Sequence, residues 1–252
     1  MEPKVLLDVL RRVVAHDLIG ANRAAVAYSG GLDSSLIAKV ASGSTTVVCY
    51  SCAVVGSRDH ETALHYGSAD GFVVKILELN ESDLSRLVAT ARQGFRSVDP
   101  VKIAYSIPTM IVLERCEEDL VLAGNGADEL FGGYNRYATL PKTFESSMQG
   151  DLMKSQDEAD DLRAFAQTLG KKIVFPYLEA EIIALAGDTP RRQKIVGESH
   201  KAILREAGRL GGLAAPDRPK KAAQYSSGTL KTMRSLAKRS GMNLEDWTLS
   251  VH

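Results

Sequence analysis

Residues 28–35 read Tyr-Ser-Gly-Gly-Leu-Asp-Ser-Ser, and this stretch decides the fold class. The apolar run before it, residues 24–28, has the length of a buried strand, and residues 34–41 continue with helix-compatible side chains. Two adjacent glycines allow successive backbone N–H groups to turn toward one point, which the positive end of the following helix also faces. The stretch therefore predicts a strand, turn and helix whose turn holds a polyphosphate.

Polar side chains flank the two glycines. The hydroxyls of Ser29, Ser34 and Ser35 can donate further hydrogen bonds to phosphate oxygens. Asp33 would repel a phosphate directly, so its carboxylate is better explained as a ligand for the Mg²⁺ that accompanies a polyphosphate. The turn therefore predicts a site for a metal ion together with a polyphosphate.

A second glycine-rich segment, residues 122–134, reads Leu-Ala-Gly-Asn-Gly-Ala-Asp-Glu-Leu-Phe-Gly-Gly-Tyr. It follows a short apolar strand, and its glycines permit close approach of the backbone to a ligand. Asp128 can reach across the sheet edge toward the Mg²⁺ proposed for Asp33. Taken alone, either segment could be an ordinary surface turn with a helix N-cap. Together, at one edge of one sheet, they favour a nucleotide site.

Strand and helix patterns alternate along the first half of the chain, after an amphipathic first helix. Strands are predicted at 24–28, 45–52, 73–79 and 120–123, and helices at 34–41, 59–68, 81–93 and 106–116. Strands separated by helices form parallel sheets covered on both faces, so the fold class is α/β with a doubly wound parallel sheet. Beyond residue 140 the strand patterns vanish, and helices are predicted at 150–169, 179–185, 200–209 and 230–240. We therefore divide the chain into an α/β core, residues 1–140, and a mainly helical part, residues 141–252, that packs on the core and completes the active site.

Composition and charge exclude some classes of protein. Lys plus Arg and Asp plus Glu both number 31 among 252 residues, so the net charge gives no reason to expect a nucleic-acid or membrane partner. The longest apolar stretch, residues 103–113, is interrupted by Ser106 and Pro108 and is too short to cross a bilayer. The first residues lack the apolar core and cleavage site of a secretory signal, so we expect a cytoplasmic protein.

The three cysteines, Cys49, Cys52 and Cys116, are too few for a disulfide framework, so we expect reduced thiols. Cys49 and Cys52 have C-x-x-C spacing but lie three residues apart on a predicted strand, which places their side chains on opposite faces. Zinc would need two more ligands than this pair supplies. The acidic run at residues 157–161 is predicted to be a solvated helix face and not a metal cluster.

The first glycine-rich segment resembles the pyrophosphate-binding loop of the ATP pyrophosphatase superfamily, the PP-loop proteins. The second, residues 124–134, is similar to the synthetase domain of asparagine synthetases and the related β-lactam synthetases, and it is the more specific of the two. The resemblance continues through residues 175–179, 201–207 and 218–220, and it extends from the first helix to about residue 240. It implies an adenine nucleotide α-hydrolase-like fold.

The resemblance implies a carbon–nitrogen ligase of amino-acid biosynthesis that cleaves ATP to AMP and pyrophosphate. A substrate carboxylate, with aspartate as one candidate, would attack the α-phosphorus, and ammonia or a small amine would then displace AMP. Lys220 and Lys201 match family lysines that face the phosphates and would act as catalytic residues. Asp33 and Asp128 would bind Mg²⁺. The ATP-binding residues would be Ser29, Gly30, Gly31, Asp33, Ser34, Ser35, Ser51, Gly124, Asn125, Gly126, Asp128 and Glu129.

The sequence departs from the family pattern in three places. Glu2 follows Met1 where glutamine-dependent members place a glutaminase domain, so we expect free ammonia, another amine or a separate glutaminase subunit to supply the nitrogen. Asn125 replaces an acid between the glycines, and an amide cannot take a proton from the incoming nitrogen. Glu179 replaces an aspartate, and residues 171–174 lack the arginine that usually precedes it, which implies a different carboxylate-recognition pocket.

Three other functions remain open from the sequence. In a tRNA-modifying ATP pyrophosphatase, Cys49 and Cys52 would be sulfur carriers, although the balanced charge opposes a nucleic-acid substrate. An ammonia-dependent NAD synthetase has a similar first loop but fits residues 128–134 less well. A non-catalytic ATP-binding subunit is the third, and Asn125 is its best support. A homodimer is compatible with each of these functions.

Overall fold

The computed structural model of the protein describes residues 1–54, 59–139, 143–218 and 228–251. Five strands form its central sheet: β1 Arg23–Ala27, β2 Thr46–Val54, β3 Val73–Leu79, β4 Leu120–Leu122 and β5 Lys172–Val174. All four neighbouring pairs are parallel, and the strand order is β3-β2-β1-β4-β5. Ala25 of β1 therefore lies between Val48 of β2 and Val121 of β4. The sheet confirms the predicted doubly wound α/β fold.

Helices of the first half cover both faces of the sheet. They are α1 Pro3–Asp17, α2 Leu32–Ala41, α3 Asp59–Asp70, α4 Glu81–Gly94 and α5 Pro100–Arg115. Helices α1 and α2 pack on one face and α4 and α5 on the other, because successive strand residues point to opposite sides. Helix α5 begins at Pro100, six residues before the predicted start at 106, because the Asp99 carboxylate accepts a hydrogen bond from Val101 N and proline suits the first helical turn.

The second half is mainly helical, as predicted, but it also contributes a strand to the sheet. Two short helices, α6 Ala127–Phe131 and α7 Arg136–Thr139, end the first half, and the helices of the second half are α8 Phe144–Thr168, α9 Ala180–Gly187, α10 Arg191–Lys194, α11 Ala202–Leu210, α12 Thr229–Arg239 and α13 Leu244–Ser250. Strand β5 pairs with β4, so the expectation that strands end before residue 140 was wrong. Three residues are too few to show a period-two pattern in the sequence. In the described parts of the chain, no helix is long and apolar enough to cross a bilayer.

The proposed division of the chain at residue 140 stays a prediction, since residues 140–142 lie outside the described residues. Two further short strands lie beyond it and form an antiparallel ribbon, β6 Ile195–Val196 and β7 Ser199–His200. Lys201 follows this ribbon directly and precedes helix α11. The ribbon and α11 therefore set where Lys201 is presented to the core.

All three cysteines are free and buried. Cys49 lies in the core that α1 and α2 cover, and Cys52 in the core that α4 and α5 cover, so their predicted placement on opposite faces is confirmed. Burial raises the pKa of the Cys49 thiol to about 12 and that of Cys52 to about 12. Such thiols carry almost no thiolate at neutral pH and are poor nucleophiles.

We therefore expect the native protein to react slowly with Ellman's reagent at pH 8 and to release three thiol equivalents once unfolded in guanidinium chloride. At a pKa of about 12, the thiolate fraction at pH 8 is only about one in ten thousand. Rapid reaction of Cys49 or Cys52 in the native protein would show that the thiol is activated and would support the sulfur-carrier hypothesis.

The acidic run in α8 is only partly a solvated face. Asp157 and Asp160 are exposed, and both accept hydrogen bonds from Arg96. Asp161 is buried and accepts a hydrogen bond from the backbone N–H of Arg96. Glu158 is half-buried. The prediction was therefore wrong for Asp161 and Glu158, because the helical repeat of 3.6 residues turns those two positions toward the protein.

Candidate active site

The two glycine-rich segments meet at the carboxyl edge of the sheet. β1 connects through α2 to β2 on one side, whereas β4 lies on its other side, so the strand order reverses between β1 and β4. Ligands of open α/β sheets bind at this kind of switch point. A Cβ on Gly124, after β4, would lie 3.2 Å from Cβ of Asp33 and 3.2 Å from the backbone N of Ser34. Glycine at 124 therefore allows the second loop to touch the start of α2.

The loop after β1 has the shape of an anion cradle. Gly30 has φ +73°, and a Cβ there would lie 2.9 Å from Cα of Ala63 in α3. The backbone N–H of Gly31 donates to Oγ of Ser29 at 3.3 Å, and that of Ser29 donates to Oγ of Ser34 at 3.3 Å. Backbone donors and the N-terminus of α2 thus converge on one small region, as polyphosphate binding requires.

Lys201 joins the two aspartates that the sequence singled out. Its buried Nζ lies 2.6 Å from Oδ2 of Asp33 and 2.6 Å from Oδ1 of Asp128. Burial opposes the positive charge, but attraction by Asp128 and Asp33 outweighs it and raises the pKa of Lys201 above its ordinary value. The side chain is therefore an ammonium ion at any working pH.

The backbone around this triad is specialised. Lys201 is the one described non-glycine residue with a positive φ, +55°, a conformation that costs free energy in residues with a Cβ. A Cβ on Gly133 would overlap Oδ1 of Asp128, approach Cε of Lys201, and lie 2.7 Å from Cγ of Asp128. Only glycine at 133 leaves space for the ion pair. The triad therefore requires a strained backbone at Lys201 and the absence of a side chain at Gly133.

Asp33 and Asp128 have the donor chemistry that Mg²⁺ prefers. The described residues hold no group of three or more side chains that could enclose a metal ion. Mg²⁺ on a nucleotide is commonly bound by one or two carboxylates, with the remaining ligands coming from phosphates and water. Two carboxylates that already share one cation, the ammonium of Lys201, fit this pattern.

A cavity of about 530 Å³ opens over these loops, which is within the range of small-molecule sites. Ten of the predicted ATP-binding residues and the predicted catalytic Lys201 line it. They are Ser29, Gly31, Asp33, Ser34, Ser51, Gly124, Asn125, Gly126, Asp128, Glu129 and Lys201. Lys220, the other predicted catalytic residue, lies outside the described residues.

Gly30 and Ser35 do not line the cavity. Oγ of Ser35 donates to the Tyr28 hydroxyl at 3.1 Å and accepts from Nη1 of Arg218 at 2.7 Å, and Ser35 is fully buried. Consecutive helical residues point about 100° apart, so Ser34 faces the cavity and Ser35 faces the core behind the loop. The structure therefore gives Ser35 a supporting position and no path to a phosphate.

Sequence reasoning missed the wall opposite the nucleotide loops. Helix α5 contributes Lys102 and Tyr105 to this wall, and helix α8 contributes Lys154, Ser155 and Glu158. Nζ of Lys102 lies 4.0 Å from Oε1 of Glu158, whose pKa is raised mainly by burial. The one sequence signal that pointed to this wall was the helical spacing of polar residues within the apolar α5. That spacing did not indicate which face of the helix bordered a cavity.

Glu129 and Tyr134 form a buried pair beside the triad. The Tyr134 hydroxyl donates to Oε1 of Glu129 at 2.5 Å. Burial, followed by repulsion from Asp128, raises the pKa of Glu129 to about 7, although the Tyr134 hydrogen bond acts in the other direction. The sequence predicted Glu129 as a binding residue. It did not predict that Glu129 contacts Tyr134.

Open α/β sheets bind nucleotides where the strand order reverses, and both glycine-rich loops lie there. Fold and site together define an α/β nucleotide-binding protein of the PP-loop class. The chain belongs to the asparagine synthase family, whose model matches residues 5–172. That match includes both loops and ends before Lys201.

Individual relatives agree with this assignment. A protein of Methanocaldococcus jannaschii, provisionally named asparagine synthetase (glutamine-hydrolyzing) 1, is 29% identical over 96% of this chain and 53% of its own length. Asparagine synthetase (glutamine-hydrolyzing) 1 of Saccharomyces cerevisiae is 26% identical over 79% of this chain and 42% of its own length. The chain thus spans about half, or less, of the length of these relatives.

Proposed function

We propose that the protein is an ATP-dependent, AMP-forming amide ligase that adenylates a small carboxylic acid and transfers the acyl group to ammonia or a small amine. The observation that carries this proposal is the Asp33–Lys201–Asp128 triad at the point where two glycine-rich loops meet. The triad carries one net negative charge, which suits a divalent cation that would accompany the phosphates, and it lies beside a backbone anion cradle that suits the leaving pyrophosphate.

Each part of the site then has a role. The loop at residues 29–34 holds the β- and γ-phosphates through backbone and serine donors. Asp33 and Asp128 would hold Mg²⁺, which would offset phosphate charge when bound. The permanently charged Lys201 orients both carboxylates beside the departing pyrophosphate.

The wall formed by α5 and α8 is the proposed acceptor site. Lys102 and Lys154 of these helices, together with Arg136 of α7, supply positive charge there, and Glu158 and Asp151 supply negative charge. Such a mixed set suits a small acid that also carries an ammonium group, and aspartate is one example. The cations would bind the carboxylates of the acceptor, and an acid would bind its ammonium group.

Proton transfer from the nitrogen nucleophile needs an acceptor other than Asn125. An amide at that position can donate and accept hydrogen bonds but cannot take up a proton at neutral pH. Ammonia attacks in its unprotonated form, and the proton that it loses on forming the amide would pass to the phosphate of the departing AMP or to water. Ammonia, free or released by a separate glutaminase subunit, is therefore the proposed nitrogen source.

Asp33→Asn and Asp128→Asn are each expected to lower pyrophosphate release from Mg²⁺-ATP by about 10²-fold or more, because a carboxylate that holds both Lys201 and Mg²⁺ becomes neutral. The measurement is ATP–pyrophosphate exchange with a panel of carboxylic acids, aspartate included. If the wild-type protein binds ATP tightly but no acid in the panel supports exchange, the ligase proposal is contradicted. Full activity in either variant would contradict the metal assignment.

A non-catalytic ATP-binding subunit is the second candidate, and Asn125 favours it. Restoring an acid with Asn125→Glu separates the two functions. If the chain is a ligase that relies on unprotonated ammonia, the variant should use ammonium at lower pH than the wild type. If the chain only binds ATP, both forms should leave ATP intact.

A further inference from the structure

The Arg218 side chain is only 1% exposed and packs against the nucleotide loop, and Arg218 is among the residues that line the cavity. Its Nη1 donates to the carbonyl oxygen of Gly30 at 3.1 Å and to Oγ of Ser35 at 2.7 Å. Its Nη2 pairs with Oδ2 of Asp70, at the end of α3, at 2.8 Å. One guanidinium therefore joins the loop, the first turns of α2 and the end of α3.

The segment that carries Arg218 is held at the same place. The backbone N–H of Ala214 donates to Oδ1 of Asp70 at 2.7 Å, and Nε of Arg218 donates to the carbonyl of Ala215 at 2.6 Å. Both oxygens of Asp70 are thus engaged, and its side chain is 0% exposed. Because the carboxylate neutralises the guanidinium, Arg218 adds little net charge for attracting a phosphate. Its contribution is one of position.

Arg218 fixes the direction of the loop's donors. In a trans peptide the C=O and the following N–H point in opposite directions. Because Arg218 holds the Gly30 carbonyl, the N–H of Gly31 must point the opposite way, where it meets Oγ of Ser29 at 3.3 Å. Gly31 and Ser29 both line the cavity. The arginine therefore sets which way the phosphate-facing N–H points.

Arg205 extends this connection to the triad. Its Nη1 donates to the carbonyls of Pro216 and Arg218 at 2.8 and 3.2 Å, and its Nε donates to the carbonyl of His200 at 2.9 Å. His200 immediately precedes Lys201. A continuous set of charged hydrogen bonds thus runs from the back of the nucleotide loop to the residue that bridges Asp33 and Asp128.

We infer that Arg218 is a positioning residue that holds the nucleotide loop in its donor-forward conformation and couples it to Lys201, a role that rests on the proposed function for the identity of the nucleotide. Arg218 lies outside the part of the chain that the family model matches, whereas the loop lies inside it. A buried ion pair that only stabilised the fold would need no contact with Gly30 or Ser35.

The first experiment needs no nucleotide. Arg218→Lys keeps the charge but loses the planar fork, so amide hydrogen exchange in residues 28–35 is expected to become about tenfold faster, with little change in the strands. The matched control is Glu118→Gln. Glu118 is also buried and pairs with Arg23 at 3.1 Å, but it precedes β4, at the amino edge of the sheet. The positioning role would be overturned if amide exchange in the loop did not change in Arg218→Lys. It would also be overturned if exchange became faster throughout the protein, as in the control.

The second experiment measures the dissociation constant of Mg²⁺-ATP by titration calorimetry, well below each variant's melting temperature. Arg218→Lys is expected to weaken binding about tenfold, and Glu118→Gln to leave it unchanged. Ser35→Ala removes one acceptor while keeping the Asp70 pair, so it replaces Arg218→Lys if that variant does not fold, with a smaller loss expected. Wild-type protein that binds no ATP would contradict the proposed function, while the exchange data would still decide the role of Arg218. Equal affinity in wild type and variant would overturn the coupling to nucleotide binding.

Discussion

Lys201→Met is expected to lower the rate of pyrophosphate release by about 10³-fold. Methionine matches the length of the lysine stem but carries no charge, so Asp33 and Asp128 would face each other without the ammonium that now lies 2.6 Å from each. Two ionised carboxylates so close together in a partly buried site repel each other, so the pKa of one of them should rise. Breaking a buried ion pair also costs about 3–5 kcal/mol of unfolding free energy, so activity must be measured below the lowered melting temperature.

Lys194→Met is the matched control for this change. Lys194 is also buried, in α10, but it does not line the cavity, and burial lowers its pKa to about 8. Removing this costly charge should leave both activity and stability at pH 7 intact. Lys201→Gly tests the backbone separately, since glycine adopts φ +55° without cost yet also lacks the ammonium. An active Lys201→Met enzyme would rule out the proposed role of the triad.

Gly133→Ala is expected to reduce activity about 10²-fold while the protein stays folded. The added methyl group would occupy the space of Oδ1 of Asp128 and press on Cε of Lys201, so the triad must move. Displacement of about 1 Å at a reacting site commonly costs this much in rate. The measurement is ATP–pyrophosphate exchange, with circular dichroism to confirm the fold.

The control for that substitution is Gly150→Ala. Residue 150 lies within α8, and a Cβ there would meet nothing within 4 Å. Alanine should therefore stabilise the helix by about 0.5–1 kcal/mol and leave exchange activity unchanged. If Gly133→Ala and Gly150→Ala had equal activity, the tight space beside Asp128 would have no functional meaning.

Much of the fold could be predicted from sequence because its elements are long and periodic. The predicted strand at 73–79 matches β3 Val73–Leu79, and the predicted helix at 81–93 ends one residue before α4 Glu81–Gly94 does. The short strand β5 escaped, because its three residues carry no readable period, whereas the equally short β4 belongs to a predicted apolar run. The strand conformation of β5 comes from pairing with β4, which is a contact between distant parts of the chain.

Most of the candidate site could be predicted for a related reason. Residues 29–34 and 124–129 are compact loops in which glycine and acidic positions follow from local backbone geometry. Lys201 was recognised only through resemblance, since its buried position between two acids depends on the β6–β7 ribbon and α11. Ser35 was placed on the wrong side of the loop, because its partner Arg218 is 183 residues away.

Local sequence patterns were enough to predict the doubly wound core, the two glycine-rich loops and the placement of Asp33 and Asp128 at one sheet edge. These features follow from periodicity and from backbone freedom, which act over a few residues. Three features came from tertiary packing: Lys201 bridges the acids, Arg218 holds the Gly30 carbonyl, and α5 and α8 form the opposite wall. Each of these depends on which distant segments pack together, and burial then decides which charges must find partners.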